Sequence, residues 1–243
     1  MGHASRKKRG KNTVVIYSAE NVRAVEERVT REFLGEKGLN LEGVLAAAHR
    51  SQRQALYLAQ NLPTDGPLAC TSGCDWCCHL AVSACPHEVF LAADWIRKHL
   101  PAAQIDEILR RARAVIEETK GLPWKQRTLR VIPCPLLFNK TCVAYPVRPA
   151  ACIGWHSYDA RLCEMYVKGD KDMRIKQCHE IREGTYLVAH ATAEVLTKYG
   201  FAASGEVDLV KALTLVLETP DAAQQWVAGH RLFPPILNES DGF

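Results

Sequence analysis

Four cysteines fall within nine residues in the run CTSGCDWCC, spaced Cys70-x3-Cys74-x2-Cys77-Cys78. Gaps this short let several sulfurs converge without help from distant chain. A two-residue gap places two thiolates on adjacent corners of a tetrahedron or a cluster. Gly73 permits the turn that aims Cys74. Neighbouring side chains point apart, so Cys77 and Cys78 serve different metals, or one is a ligand and the other a structural or reactive thiol. A free thiol ionises near pH ~8.5. Four crowded thiols therefore stay mostly neutral near neutral pH until a cation favours the thiolate, and metal binding resolves the conflict. The competing interpretation is a buried, reduced cysteine patch or an oxidation-prone thiol pair.

A second group, Cys134-x7-Cys142-x9-Cys152, is a weak signal alone. It gains value because residues 79–133 read as a hairpin of two helices that brings both groups together. Seven sulfurs are one short of two complete four-cysteine sites. His156, His79, Cys163, Cys178 or a non-protein ligand are the candidates for the eighth position, and Cys85 completes the ten cysteines of the chain. Arg148, between Val147 and Pro149, is placed to offset thiolate charge, or else is a surface arginine in a Pro-fixed turn. Tyr145 either covers the site and hydrogen-bonds within it, or packs. Trp76 and Trp155 flank the two groups and either exclude water from a metal or serve the core.

The order CTSGCDWCC, then CPLL from Cys134, then Cys142, then Tyr145-Pro146-Val147-Arg148-Pro149 and Cys152, resembles the YkgJ-type cysteine-cluster proteins, whose domain is described as zinc- or iron-chelating. The likeness spans roughly residues 70–156. It implies Cys70, Cys74, Cys77, Cys78, Cys134, Cys142 and Cys152 as metal ligands. Related sequence occurs in flagellin lysine N-methylases, where an iron–sulfur cluster accompanies methyl transfer. The first gap here holds three residues (Thr71, Ser72, Gly73) where the family pattern has two, and Cys85, Cys163 and Cys178 fall outside the motif.

Helices must position these groups. Val22, Val25, Val29 and Phe33 recur at three- and four-residue steps between Ser18 and Gly35, which predicts one helix with those residues on its apolar face. A second helix is expected from Asn40 to Pro63, and the PTDGPLA stretch at 63–69 delivers the chain to the first cysteines. Helices are expected at 86–99 and 102–120, paired antiparallel across Pro101. Five prolines between 121 and 156 predict a loop-rich segment that draws order from metal coordination. Helical periodicity returns at 158–167, 180–199 and 206–218, and Pro220 opens a short last helix. No strand run supports a substantial sheet, and no internal repeat occurs. The expected fold is mostly α, with a basic, disordered tail at 1–12 and a single helical domain at 13–243 whose cysteine-liganded metal centre lies at 70–156.

The chain has 243 residues and a net charge of +4, but Arg6, Lys7, Lys8, Arg9 and Lys11 lie in the first twelve positions without an acid. The remainder is nearly balanced, which argues against a body that wraps nucleic acid, while the tail keeps an acidic or nucleic-acid contact open. No run of about 18 apolar residues and no basic-then-apolar leader occurs, so a cytoplasmic protein without a membrane span is expected, with its cysteines reduced. GxGxxG, Walker A, HExxH and GxSxG are absent, and nothing marks a catalytic base. Three functions stay open. The first is a metalloprotein with an iron–sulfur cluster or zinc, redox-active in the iron case. The second is a protein-modifying, lysine methyltransferase-like enzyme that uses the metal centre, acting on a protein or a small-molecule substrate. The third is a noncatalytic, zinc-stabilised interaction protein.

Overall fold

Periodic apolar residues between caps and prolines give this chain ten α-helices and only four two-residue strands among the residues described by the computed structural model, 19–234 and 236. The basic tail at 1–12 lies outside the described residues. Helix α1 spans Ala19–Lys37 and α2 spans Leu41–Asn61. Asn40 caps α2, its side chain accepting the Gly43 N–H at 3.0 Å, so one of the helix's free donors is satisfied. After the first cysteine run come α3 (Pro86–His99) and α4 (Ala102–Glu118), separated by Pro101. Helices α7 (Ala160–Val167), α8 (His179–Lys198), α9 (Leu209–Glu218) and α10 (Ala222–Val227) follow close to the positions that periodicity predicts.

The proline-rich segment 121–156 is less irregular than expected. It contains the short helices α5 (Trp124–Thr128) and α6 (Ala150–Ile153), a 3-10 turn at Tyr145–Val147, and a hairpin of β2 (Leu137–Phe138) with β3 (Thr141–Cys142). Asn139 and Lys140 form the hairpin's turn with φ of 48° and 62°, the left-handed pair that a two-residue hairpin loop requires. The other strand pair joins β1 (Ser83–Ala84) to β4 (Val207–Asp208), antiparallel, with Ser83 opposite Asp208. It ties the chain just after the first cysteine run to the start of α9.

Helices α1, α2 and α8 each pack against the other two, and α3 lies between α2 and α9. The main core runs from Leu34 and Val44 through Val89, Phe90 and Ile96 to Leu196, Leu213 and Trp226. Trp226 is fully enclosed between the rings of Phe90 and Phe201, and its indole N–H donates to the Ala202 carbonyl at 3.0 Å. That bond satisfies the one polar atom the ring brings inside.

Two expectations are corrected. The buried face of α1 is Val22, Glu26, Thr30 and Leu34, while Val25 is 42% exposed. The face turns because Glu26, 1% exposed, forms a buried ion pair with Arg50 of α2, and a paired charge can occupy a position that apolar periodicity assigns to solvent. Helices α3 and α4 also do not form an antiparallel pair on each other. Both pack against α9, where Arg97 donates to the Val216 carbonyl at 2.6 Å and Arg113 pairs with Glu218. Among the described residues no helix is long and apolar enough to cross a membrane.

Candidate metal centre

The first cysteine run folds as a turn and a single 3-10 coil, Trp76–His79. Gly73 has φ +82°, the left-handed conformation the sequence asked of it, and the Cys74 N–H donates to the Thr71 carbonyl at 3.1 Å. The Cys78 N–H donates to Asp75 at 2.9 Å. All four cysteines of the run are half-buried.

Distant segments are stitched to this run by backbone hydrogen bonds. Cys134 donates its N–H to the Cys78 carbonyl at 2.8 Å, and Ile132 donates to His79 at 2.9 Å. Cys142 lies on β3 opposite Leu137, so the hairpin returns it beside Cys134. Cys152 sits in α6, which is held from two sides. Glu88 of α3 accepts the Ala150 N–H at 2.7 Å and the Cys85 N–H at 2.9 Å. On the other side α6 packs against α8, and Gly154 makes this possible, since a Cβ there would stand 2.2 Å from Thr185 Oγ1 and 3.1 Å from the Arg182 Cα.

Electrostatics group the sulfurs. Every pairing among Cys78, Cys134, Cys142 and Cys152 is close enough for one thiolate to oppose ionisation of the other. Burial first, then those neighbours, pushes the Cys134 thiol up to about 12 and Cys142 to about 11, and lifts Cys152 well above the usual thiol range. A hydrogen bond between the Cys77 and Cys78 thiols, the largest influence on each, raises the pKa of Cys77 and lowers that of Cys78. Arg148 acts on Cys78, Cys142 and Cys152 in the direction that favours thiolate. Its guanidinium lies 3.8 Å over the ring of Tyr145 and donates to the Tyr145 carbonyl at 3.3 Å. Tyr145 itself is 56% exposed and supports Arg148 from outside rather than covering the sulfurs.

Cys70, Cys74 and Cys163 form the other neighbourhood, each within electrostatic reach of the other two. Cys77 reaches toward both, being influenced by Cys152 and by Cys70. Ser157 stands between the halves of this second group. Its N–H donates to Cys70 Sγ at 3.4 Å, and its hydroxyl donates to the Asp159 carbonyl at 3.1 Å, toward which the Cys163 thiol also points at 3.8 Å.

The remaining candidates separate. Cys85 is buried at the start of α3 beside Glu88, and Cys178, fully buried at the start of α8, sends its S–H toward Glu180 Oε2 at 3.5 Å. His79 turns Nδ1 to the Asp75 carbonyl within its own coil, at 3.1 Å. His156 has a buried Nδ1 without a hydrogen-bond partner, and burial followed by Arg148 lowers its pKa. Trp155 is held against Arg182, while Trp76 lies under Lys168.

Among the described residues no set of three or more Cys, His, Asp or Glu side chains closes around one point as a bound metal requires. The donor chemistry nonetheless suits a thiophilic metal. Soft sulfurs share one neighbourhood, and Arg148 and Arg127 favour their ionised form against burial and mutual repulsion. Ser157 gave no signal in sequence, and Glu88 signalled only the start of α3, because each matters to the cysteines through a partner more than sixty residues away. Cys163 was visible only as one of five possible completions, four of them residues. Comparison with protein-family models, curated proteins and solved structures finds no match for this chain.

Proposed function

We propose that this chain is a metal-binding cysteine-cluster protein that carries iron–sulfur or zinc on Cys70, Cys74, Cys77, Cys78, Cys134, Cys142 and Cys152, and that iron makes it redox-active. The single observation behind this is that three separate segments bring Cys78, Cys134, Cys142 and Cys152 into one neighbourhood, with the Cys134 N–H on the Cys78 carbonyl at 2.8 Å, Cys142 returned by the β2–β3 hairpin, Arg148 acting on Cys78, Cys142 and Cys152, and Arg127 acting on Cys134. A buried reduced patch has no need of those arginines or of four thiols whose ionisation is mutually opposed. The motif order shared with YkgJ-type proteins supports the same function.

Bound iron–sulfur supplies electron transfer, and bound zinc supplies a cross-link or a Lewis acid. The chain's own residues supply the rest. Arg148, aligned on Tyr145, compensates thiolate charge. The Cys134–Cys78 backbone bond fixes the spacing of the two runs, and Glu88 fixes the entry of α6 and hence Cys152. Purification without oxygen, followed by iron, zinc and acid-labile sulfide per chain and a visible spectrum, tests the proposal. Iron with matching sulfide and a broad absorption that bleaches on reduction identifies the redox form, and stoichiometric zinc without colour identifies the zinc form. Absence of both metals overturns it.

A further inference from the structure

A cavity of about 140 Å³ lies between α5, the start of α9 and the segment after α10, and no cysteine contributes to its lining. Three stretches of chain build it. Leu122 and Trp124 form one wall where the chain enters α5, and Pro123 accepts the Arg127 N–H at 2.9 Å, which sets Arg127 one turn into that helix. Asp208, Lys211, Ala212 and Leu215 form the second wall, at the i, i+3, i+4 and i+7 positions of one α9 face. Phe233, Pro234 and Ile236 form the third, and the Ile236 N–H donates to the Glu206 carbonyl at 2.8 Å, which ties this segment to the end of β4.

Arg127 is out of place among these apolar walls. It is 4% exposed, and its Nε and Nη1 are buried without a hydrogen-bond partner. Buried donors left unmade cost free energy, so a guanidinium this deep normally spends them on carboxylates or carbonyls. Asp208 is the one acid among the described lining residues, and it does not satisfy Arg127. Its Oδ2 stands 3.5 Å from Arg127 Nε, while its Oδ1 is committed as the cap of α9, accepting the Val210 and Lys211 N–H groups at 2.9 and 3.2 Å. Lys211 adds a second cation, so the lining holds two positive side chains against one carboxylate.

Size and chemistry together define what fits. A cavity of about 150 Å³ accommodates a benzene ring, so this one takes an apolar body of about six carbons with a small head group. A carboxylate accepts two parallel N–H bonds from a guanidinium, whereas an inorganic anion would leave Trp124, Leu215 and Phe233 facing unfilled space. Lys211 and Pro234 are the exposed members of the lining, which places the entrance beside them.

We propose that this cavity binds a small monocarboxylate with an apolar body of about benzene size, its carboxylate held by Arg127 and drawn in by Lys211. The site is separate from the metal-binding function proposed above, and each stands or falls without the other.

The test titrates the full-length wild type with benzoate and follows the Trp124 indole and the Lys211 and Leu215 amides by nuclear magnetic resonance. Benzoate shifts these signals with a dissociation constant of about 1 mM or tighter. Benzyl alcohol, which keeps the ring and loses the charge, binds at least about 10-fold more weakly, and sulfate does not displace benzoate. Arg127→Met weakens benzoate by about 10–100-fold. Leu215→Trp, which fills the cavity from α9 and leaves both cations in place, abolishes binding and keeps the proposal testable where Arg127→Met does not fold. No shift of these signals at about 10 mM benzoate, equal affinity for benzyl alcohol, displacement by sulfate, or undiminished binding in folded Arg127→Met or in Leu215→Trp overturns the proposal.

Discussion

Cys134 donates its backbone N–H to the carbonyl oxygen of Cys78 at 2.8 Å. One bond thereby fixes the distance between two cysteine runs that are separated by three helices. The site's frame therefore belongs to the polypeptide, while its closure belongs to the thiols.

Arg148 acts on Cys78, Cys142 and Cys152 in the direction that favours thiolate, and residues around a metal's ligands typically tune affinity by one to two orders of magnitude. Arg148→Met should lower metal affinity by roughly 10–100-fold, read by competition with a calibrated chelator. Arg148→Lys should recover only part of this, since lysine cannot lie flat on Tyr145 as the guanidinium does. Equal affinity in all three proteins would remove Arg148 from the site.

Glu88 is fully buried, and desolvation raises its pKa to about 7 even though two backbone N–H groups pull it down. Its folded pKa exceeds the unfolded value, so between about pH 4.5 and 7 the folded state holds more protons. Stability must therefore fall as pH rises through that window and level off above it. Glu88→Gln, which keeps the acceptor toward Ala150, should flatten this slope in urea unfolding at pH 5, 6 and 8. Glu88→Ala should cost about 2–4 kcal/mol at every pH by stranding two donors.

His87 is fully enclosed and neither ring nitrogen has a hydrogen-bond partner. Burial lowers its pKa to about 3, so charging it in the unfolded state alone drains stability as pH falls from 6.5 toward 3. His87→Leu should remove that acid-side loss and unfold at a higher denaturant concentration at pH 4.5 than the wild type.

The Glu26–Arg50 pair sits between α1 and α2. Arg50→Ala leaves a buried carboxylate without its cation and should cost roughly 3 kcal/mol. The double variant Glu26→Leu with Arg50→Met should recover most of that loss, since buried ion pairs are commonly replaceable by apolar groups. Thermal unfolding of the two single variants and the double variant measures the coupling.

At Gly154 a methyl group would overlap Thr185 and press on the Arg182 backbone. Gly154→Ala should destabilise by about 1–3 kcal/mol and lower metal content, because α6 cannot retreat from α8 without carrying Cys152 with it. Unchanged metal content in a folded Gly154→Ala protein would separate α6 packing from ligation.

Much of this architecture was legible in the sequence wherever the signal is local. Prolines 63, 86 and 101 and the Asn40 cap bound their helices as expected. What stayed hidden depends on partners far along the chain. Glu26 reads as a solvent residue until Arg50 is placed opposite it. Helices α3 and α4 read as a hairpin until α9 arrives to take both. Glu88 reads as a helix-start acid, and only the fold shows it also receiving the Ala150 N–H. The α6 helix is four residues long and carries no periodicity to detect.

The Ser157 bridge between Cys70 and Cys163 has a further consequence during synthesis. Cys70, Cys74 and Cys77 leave the ribosome about 90 residues ahead of Cys163, which at ~5–20 residues per second is roughly 5–20 s. Throughout that interval Cys70, Cys74 and Cys77 are without Ser157 or α7 to enclose them. Cys78 waits likewise, for Cys134, then Cys142, then Cys152. The neighbours of Cys78 are therefore complete once Cys152 has emerged, eleven residues before Cys163 follows.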